Sequence, residues 1–365
     1  MQADLSQFKL SKAQLLEVRK RFIEGAGLGN YPSCIYFNNK PKPGEYIVIE
    51  LGGSNLRAGR VTLSSSNPVI GKIISGNVPC TKDICSPKEF YNQIIDQIEP
   101  VLDNIPIGFT FSFVTLINEA ADGKLLYWTK GIKVPKLVGK YIGAEFIKIL
   151  HSRGYSVPRI VLLNDTVATF LSGINHDPVA SLVVGTGMNL AVVGEDQQVI
   201  NCEAGNLKVK DLSVWTEIDE ELDKISPEPG INSFEKLVSG KYLPLIYNKI
   251  TNEKIANSKQ LAMKMLKGDK LAKLLFTRSA QLIGAILSTT LEMNPQGQTL
   301  QVQNKIITEG AIFWEVPGYK DIVSSTVLNL SGQSMNFIKI DNPGLVGAAI
   351  AVGLTDSPNT VLTHE

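Results

Sequence analysis

Histidine is nearly absent from this chain: His151, His176 and His364 are the only three in 365 residues, and they stand far apart. A histidine-based triad is therefore excluded as a natural reading, and acid–base chemistry falls to carboxylates. Cysteine is almost as scarce. Four residues, at 34, 80, 85 and 202, are too few for a disulfide framework and lack the ligand spacing of a zinc site. Cys80 and Cys85, the one close pair, read as two ordinary thiols in a reducing compartment. An excess of one charge is also missing. With 36 basic and 35 acidic side chains the net charge is +1, and no block of either sign suggests a nucleic-acid or anionic-membrane partner. No basic-headed apolar stretch opens the chain, and no apolar run reads as long enough to span a bilayer. The expectation is a soluble, cytoplasmic protein without membrane insertion, whose oligomeric state the sequence does not set.

What is present points to two α/β domains. A chain of 365 residues exceeds what one core usually fills. Ser11 and Gln14 make a capping box for a helix with Leu15, Val18 and Phe22 on one face, ended at Gly25. Three β-rich runs follow, Tyr46 to Leu51, Leu56 to Leu63 and Val69 to Ile74, reading as a meander. Ser86, Pro87 and Glu89 open a second helix with Phe90, Ile94 and Ile98 inward. Strand-like Ile107 to Phe111, a helix over Ala144 to Ser152 and the apolar run Arg159 to Leu163 complete one set. A looser second set starts at Ser181 to Val184 and Leu190 to Val193. It continues through a long helical stretch from Ser233 to about Glu292, the short runs Lys305 to Ile307 and Phe337 to Ile340, and a small-residue helix over Leu345 to Leu354.

Each set has a glycine-rich turn between its first two strands. The first reads Glu50-Leu51-Gly52-Gly53-Ser54-Asn55-Leu56-Arg57 and the second Gly185-Thr186-Gly187. Backbone N–H groups at such turns can approach a phosphate unobstructed, and two of them imply a nucleoside triphosphate. Neither matches a Walker or dinucleotide pattern. Asn164-Asp165-Thr166 ends a buried strand, where α/β sheets place ligands. There Asp165 is suited to accept a proton from an attacking hydroxyl, although Asp165 or Thr166 could merely cap a helix beginning at Val167, and both roles can hold at once. Ser112 and the run Trp128-Thr129-Lys130-Gly131 supply groups of the kind that read sugar hydroxyls, although Lys130 could be only a solvated loop cation, while Glu203 and Glu235 taken alone are ordinary surface charges.

Taken together and in order, these segments resemble the hexokinase family along almost the whole chain. Phe109 to Phe113 with Trp128 to Gly131 is similar to the family's sugar-binding signature, and Asn164-Asp165-Thr166-Val167 to its catalytic segment. The stretches Asn201 to Gly205, Thr216 to Asp219, Phe234 to Leu243, Thr308 to Ala311 and Gly344 to Ala349 match further family segments. The resemblance implies an α/β, actin-like and ribonuclease-H-like duplicated fold with two domains flanking a cleft. Its expected blocks are an N-terminal helix and lead-in over 1–43, a small domain over 44–165, a large domain over 166–343 and a C-terminal helix over 344–365. It implies ATP and Mg²⁺ as cofactors, a hexose as substrate and Asp165 as catalytic base. Ser112, Thr129, Lys130, Asn164, Asn189, Glu203 and Glu235 would hold the sugar. Gly52, Gly53, Ser54, Asn55, Arg57, Gly185, Thr186 and Gly187 would bind phosphates, Gly310 and Ala311 would lie near adenosine, and Glu50 would act on the metal through water.

The chain departs from the family at several of these points. Glu50 stands where Asp is usual, Val114 replaces a Pro, Met188 a Thr and Ala311 a common Ser, and the region between Tyr242 and Thr308 is short. Two other readings stay open on the sequence: a weakly active or inactive paralogue that senses hexose, and an actin-like ATPase.

Overall fold

The computed structural model describes residues 5–53, 55–64, 67–194, 197–293 and 304–355, with the backbone alone for 291–293. The chain divides into two units. One comprises Met1–Asn30, Pro178–Val192 and Cys202–Lys339; the other comprises Tyr31–Asp177, Val193–Asn201 and Ile340–Glu365.

In the second of these, a sheet runs in the order Val69–Ile70, Leu56–Leu63, Gly44–Leu51, Ile107–Phe111, Ile160–Leu163. Gly44–Leu51 pairs antiparallel with Leu56–Leu63 and parallel with Ile107–Phe111, which pairs parallel with Ile160–Leu163. Every residue of Ile107–Phe111 and Ile160–Leu163 is buried, as parallel strands covered on both faces require. The apolar side of Pro87–Ile98 (Phe90, Ile94, Ile98) and that of Ile142–Ser152 pack into one core with these strands. The expected third strand, Val69 to Ile74, is instead two short ones, Val69–Ile70 and Ile74–Gly76, both pairing with Leu56–Leu63.

The other unit repeats the pattern. Ala180–Val184 pairs antiparallel with Met188–Val193 and parallel with Lys305–Glu309, which pairs parallel with Asn336–Ile338. An antiparallel pair followed by two parallel strands, found twice, is the duplicated α/β architecture expected from the resemblance.

Both capping boxes form. Ser11 and Gln14 cap Lys12–Ile23, with Leu15, Val18 and Phe22 buried, and Ser86 and Glu89 cap Pro87–Ile98. Each ties two otherwise orphan N–H groups, which is why these helix starts are legible.

Two sequence expectations need correction. Within the helix Lys270–Met293, the span Lys270–Thr290 is long and apolar enough to cross a membrane by length and composition, contrary to the sequence expectation, but 78% of its apolar window is buried inside the protein. Its apolarity serves a core in which Arg278, fully buried, pairs bidentately with Asp219 and lies over the Phe8 ring at 5.2 Å. Cys80 and Cys85 are not ordinary thiols but a disulfide. The chain between them turns back, with Cys80 in the left-handed region at φ 55°, bringing the two Cα atoms to 5.8 Å, within bonding reach.

Candidate active site

Strand register gathers the first group of predicted residues. Leu51 is level with Phe111, and Thr110 with Leu163, so Gly52, Ser112 and Asn164-Asp165 all emerge at the carboxyl edge of the parallel strands. The backbone stitches this edge: Ser112 N donates to Leu51 O at 3.2 Å, and Gly52 N to Asn55 O at 3.1 Å, closing the first glycine turn. Ser54 lies outside the described residues.

Asn164, not Asp165 or Thr166, caps the helix, which begins at Asp165 and runs to Ser172. Asn164 Oδ1 accepts from Thr166 N at 2.8 Å. Asp165 is half-buried; its Oδ1 accepts from Thr166 N at 2.8 Å and from Thr166 Oγ1 at 3.3 Å, and its Oδ2 meets no protein partner among the described residues. With the capping role taken by its neighbour, one carboxylate oxygen of Asp165 keeps no partner among the described residues.

Lys130 reaches back from the Thr129-Lys130-Gly131 turn to donate from Nζ to Ser112 O at 2.8 Å, 5.4 Å from the Phe113 ring centre. Its stem covers Gly53, where an added Cβ would fall 2.5 Å from Lys130 Cδ. The Thr129-Lys130-Gly131 turn and the first glycine turn are thus in contact, and glycine at 53 is what allows it. Val114, in place of proline, is tied by Leu126 N donating to its carbonyl at 3.0 Å.

Glu50 lies directly opposite Arg57 in the antiparallel register and the two form an ion pair at 2.5 Å, while Arg57 Nη1 also donates to Asn342 Oδ1 at 3.0 Å. Asn342 has no distinguishing sequence context, and sequence reasoning missed it. Burial pushes the Glu50 carboxyl above the usual carboxylate range; the Arg57 guanidinium works against that rise and the Asp165 charge adds to it. Because the folded value lies above the unfolded one, the stability linked to this group is complete below about pH 4.5 and is lost as pH climbs through the folded value. Arg57→Met removes the opposing cation. Urea unfolding at pH 5 and pH 7 is expected to show a further loss of about 1–2 kcal/mol at the higher pH relative to the parent chain.

The second group assembles within the other unit. Val184 and Met188 face each other across the second glycine turn, in which Gly185 N donates to Gly187 O at 2.9 Å. Two residues that the sequence reading left without a role brace this turn: Gly240 N donates to Gly185 O at 2.8 Å and Lys241 N to Thr186 O at 3.0 Å. Gly310, at φ 115°, abuts the Val184 carbonyl, and Ala311 begins the short helix Ala311–Glu315. Met188 is buried, so the side chain that replaces threonine packs into the core.

Asn189 Oδ1 accepts from Ala204 N at 3.0 Å and Leu190 N at 2.7 Å, tying the strand to the segment that holds Glu203 in the left-handed region. Glu235 Oε2 accepts from Met188 N at 3.3 Å between Gly187 and Gly205, where a Cβ at Gly187 would stand 2.9 Å from that oxygen. Beside it, buried Lys236 bonds Asp223 at 2.5 Å, Ser226 Oγ at 3.0 Å and Glu228 O at 2.7 Å, anchoring the helix Ser233–Val238. Asn189 and Glu235 are therefore brought together around the second turn, with Glu203 joined to them through the Ala204 amide.

Two family models, both described as hexokinase, match residues 1–174 and residues 179–270 with 251–354. The chain belongs to the hexokinase family. It is 30% identical over 305 residues to hexokinase-2 of Candida albicans, covering 73% of this chain and 63% of that one. With hexokinase-9 of Oryza sativa subsp. japonica it shares 29% over 277 residues, covering 66% and 55%. With hexokinase-1 of Saccharomyces cerevisiae it shares 30% over 310 residues, covering 73% and 62%. The matched part thus spans about 55% to 63% of the length of these hexokinases. In fold, the chain is similar to a hexokinase of Schistosoma mansoni solved with glucose, at a TM-score of 0.78 and 22% identity over 95% of this chain and 97% of that one. A glucokinase of the ROK family from Streptomyces griseus is more distant, at a TM-score of 0.58 and 17% identity over 84% and 98%.

Proposed function

We propose that this hexokinase-family chain transfers the γ-phosphoryl of ATP to the 6-hydroxyl of glucose or a related hexose. The observation that carries the reading is Asp165 at the carboxyl edge of the parallel strands, relieved of helix capping by Asn164 and keeping an oxygen without a protein partner among the described residues. In this reading Asp165 accepts the hydroxyl proton as the sugar oxygen attacks phosphorus and ADP leaves. Ser112, Thr129, Lys130, Asn164, Asn189, Glu203 and Glu235 orient the sugar by its other hydroxyls. The N–H groups of the two glycine turns that are not engaged within them would meet the phosphates, as transfer that relies on positioning requires. Gly310 and Ala311 are assigned to adenosine.

A hard-oxygen donor suits Mg²⁺, and Glu50 would hold it through water. Arg57 engages Glu50 Oε2, while Oε1 has no protein partner among the described residues, so the side chain retains one oxygen for that role. When bound with the nucleotide, Mg²⁺ would supply neutralisation of phosphate charge.

A coupled assay of ADP release with glucose, mannose, fructose and N-acetylglucosamine tests the reading. Hexose-dependent turnover is expected. Turnover indifferent to sugar would instead favour an ATPase, and hexose binding without turnover a sensor. The pairing of Glu50 with Arg57 is the observation that keeps the sensor reading in play.

A further inference from the structure

The loop closed by Cys80 and Cys85 is hydrogen-bonded to the segment that carries Thr129 and Lys130. Lys133 N donates to Cys80 O and Cys85 N donates to Lys133 O, both at 2.9 Å, and Lys133 Nζ donates to Lys82 O at 2.8 Å. These three bonds hold the chain immediately beyond the Lys130-Gly131 turn, in which both residues have positive φ, 58° and 83°. Ile132 N reaches Thr129 O only at 3.4 Å, and Lys130 Nζ holds Ser112 O from the far side. The carboxyl end of the turn is thus seated on a six-residue loop whose own closure is the disulfide.

We propose that Cys80–Cys85 is a redox site that positions Thr129 and Lys130, so that a dithiol reductant weakens hexose binding; this rests on the reading of that segment as sugar-binding. Residues 81–84 are exposed, Cys85 is half-buried and Cys80 is buried. A thiolate of the dithiol therefore attacks the Cys85 sulfur. The Cys80 sulfur leaves as thiolate and takes up a proton. The second thiol of the reductant then attacks the mixed disulfide, releasing Cys85 as a thiol and the reductant as a cyclic disulfide. Two electrons and two protons pass from reductant to protein. Once the bond is gone, nothing covalent offsets the left-handed conformation of Cys80, which β-carbon residues adopt at a cost, and the loop regains chain entropy. The Cys80 carbonyl and Cys85 amide then lose the spacing that matches the two backbone groups of Lys133.

The full chain, purified in air, is compared with the same chain after dithiothreitol and with a Cys80→Ser/Cys85→Ser double variant. Mass spectrometry counts the bond, calorimetry measures glucose affinity, steady-state kinetics give KM for ATP, and hydrogen exchange follows the Lys133 amide. Reduction and the double variant are each expected to weaken glucose binding severalfold and to expose the Lys133 amide, with a smaller change in KM for ATP, because Lys130 also lies over Gly53. Re-oxidation should restore the parent chain but not the variant. Equal glucose affinity in both redox states, or free thiols in the air-purified chain, overturns the proposal. If glucose binds in neither state, the functional reading fails, and exchange decides: Lys133 protection that survives reduction overturns the redox coupling as well.

Discussion

Asp165→Asn is expected to lower kcat by about a hundredfold to ten-thousandfold while glucose affinity stays within about threefold, the range for loss of a positioned general base. That corresponds to about 3–5 kcal/mol of transition-state stabilisation. The substitution is chosen for what it preserves. The amide oxygen of asparagine can accept from Thr166 N as Asp165 Oδ1 does, and Asn164 continues to cap the helix Asp165–Ser172. A fall in turnover therefore reports on the proton-accepting oxygen and not on local unfolding. Coupled kinetics with glucose, set beside calorimetric binding, separate the two. Near-native kcat with intact binding would remove Asp165 from the role of base.

The second large effect concerns stability. Gly347→Ala is expected to cost about 3 kcal/mol or more in urea unfolding, at the upper end for overpacking a core. The helix Pro343–Thr355 is buried along Pro343–Leu354 and packs on Asp165–Ser172. At Gly347 a methyl group would meet backbone: the Ala168 carbonyl oxygen, with its carbon at 2.5 Å and the Ala168 Cα at 2.7 Å. Backbone in the middle of a helix cannot turn aside as a side-chain tip can. Relief requires the two helices to separate, and Asp165 starts the one that moves. The variant should therefore lose stability and, in whatever fraction remains folded, turnover. An unfolding midpoint equal to that of the parent chain would show that the helices separate freely, contrary to the packing described.

Much of the fold was legible because its signals are local. Ser11 with Gln14 and Ser86 with Glu89 mark helix starts through bonds that span three residues, and both formed. The apolar run before Asn164 marked a buried strand, and the glycine turns at 52 and 185 marked the repeat. The misreadings share a cause. Asn164 and Asp165 are both good caps by type, and only backbone geometry chose between them. The stretch to about Glu292 reads as helical, but the apolar character of Lys270–Thr290 is hidden by charged and polar residues that interrupt any simple run, although the folded helix buries most of its apolar window.

The candidate site divides along the same line. By itself the sequence determined the residue types and their order: the two glycine turns, the Thr129-Lys130-Gly131 segment, Asp165 behind a buried strand, and the repeated strand pattern. These follow from steric freedom, period and capping, which act between near neighbours in the chain. Only the tertiary structure decided that Arg57 takes hold of Glu50 with Asn342 behind it, that Lys130 lies over Gly53, that Gly240 and Lys241 brace the second turn, and that Cys80 and Cys85 join beneath Lys133. The Glu50–Arg57 and Cys80–Cys85 pairs, seven and five residues apart, depend on strand register and on the turn between them, and the other contacts on the approach of segments tens to hundreds of residues apart. No local preference encodes that approach; the packing of the whole core sets it.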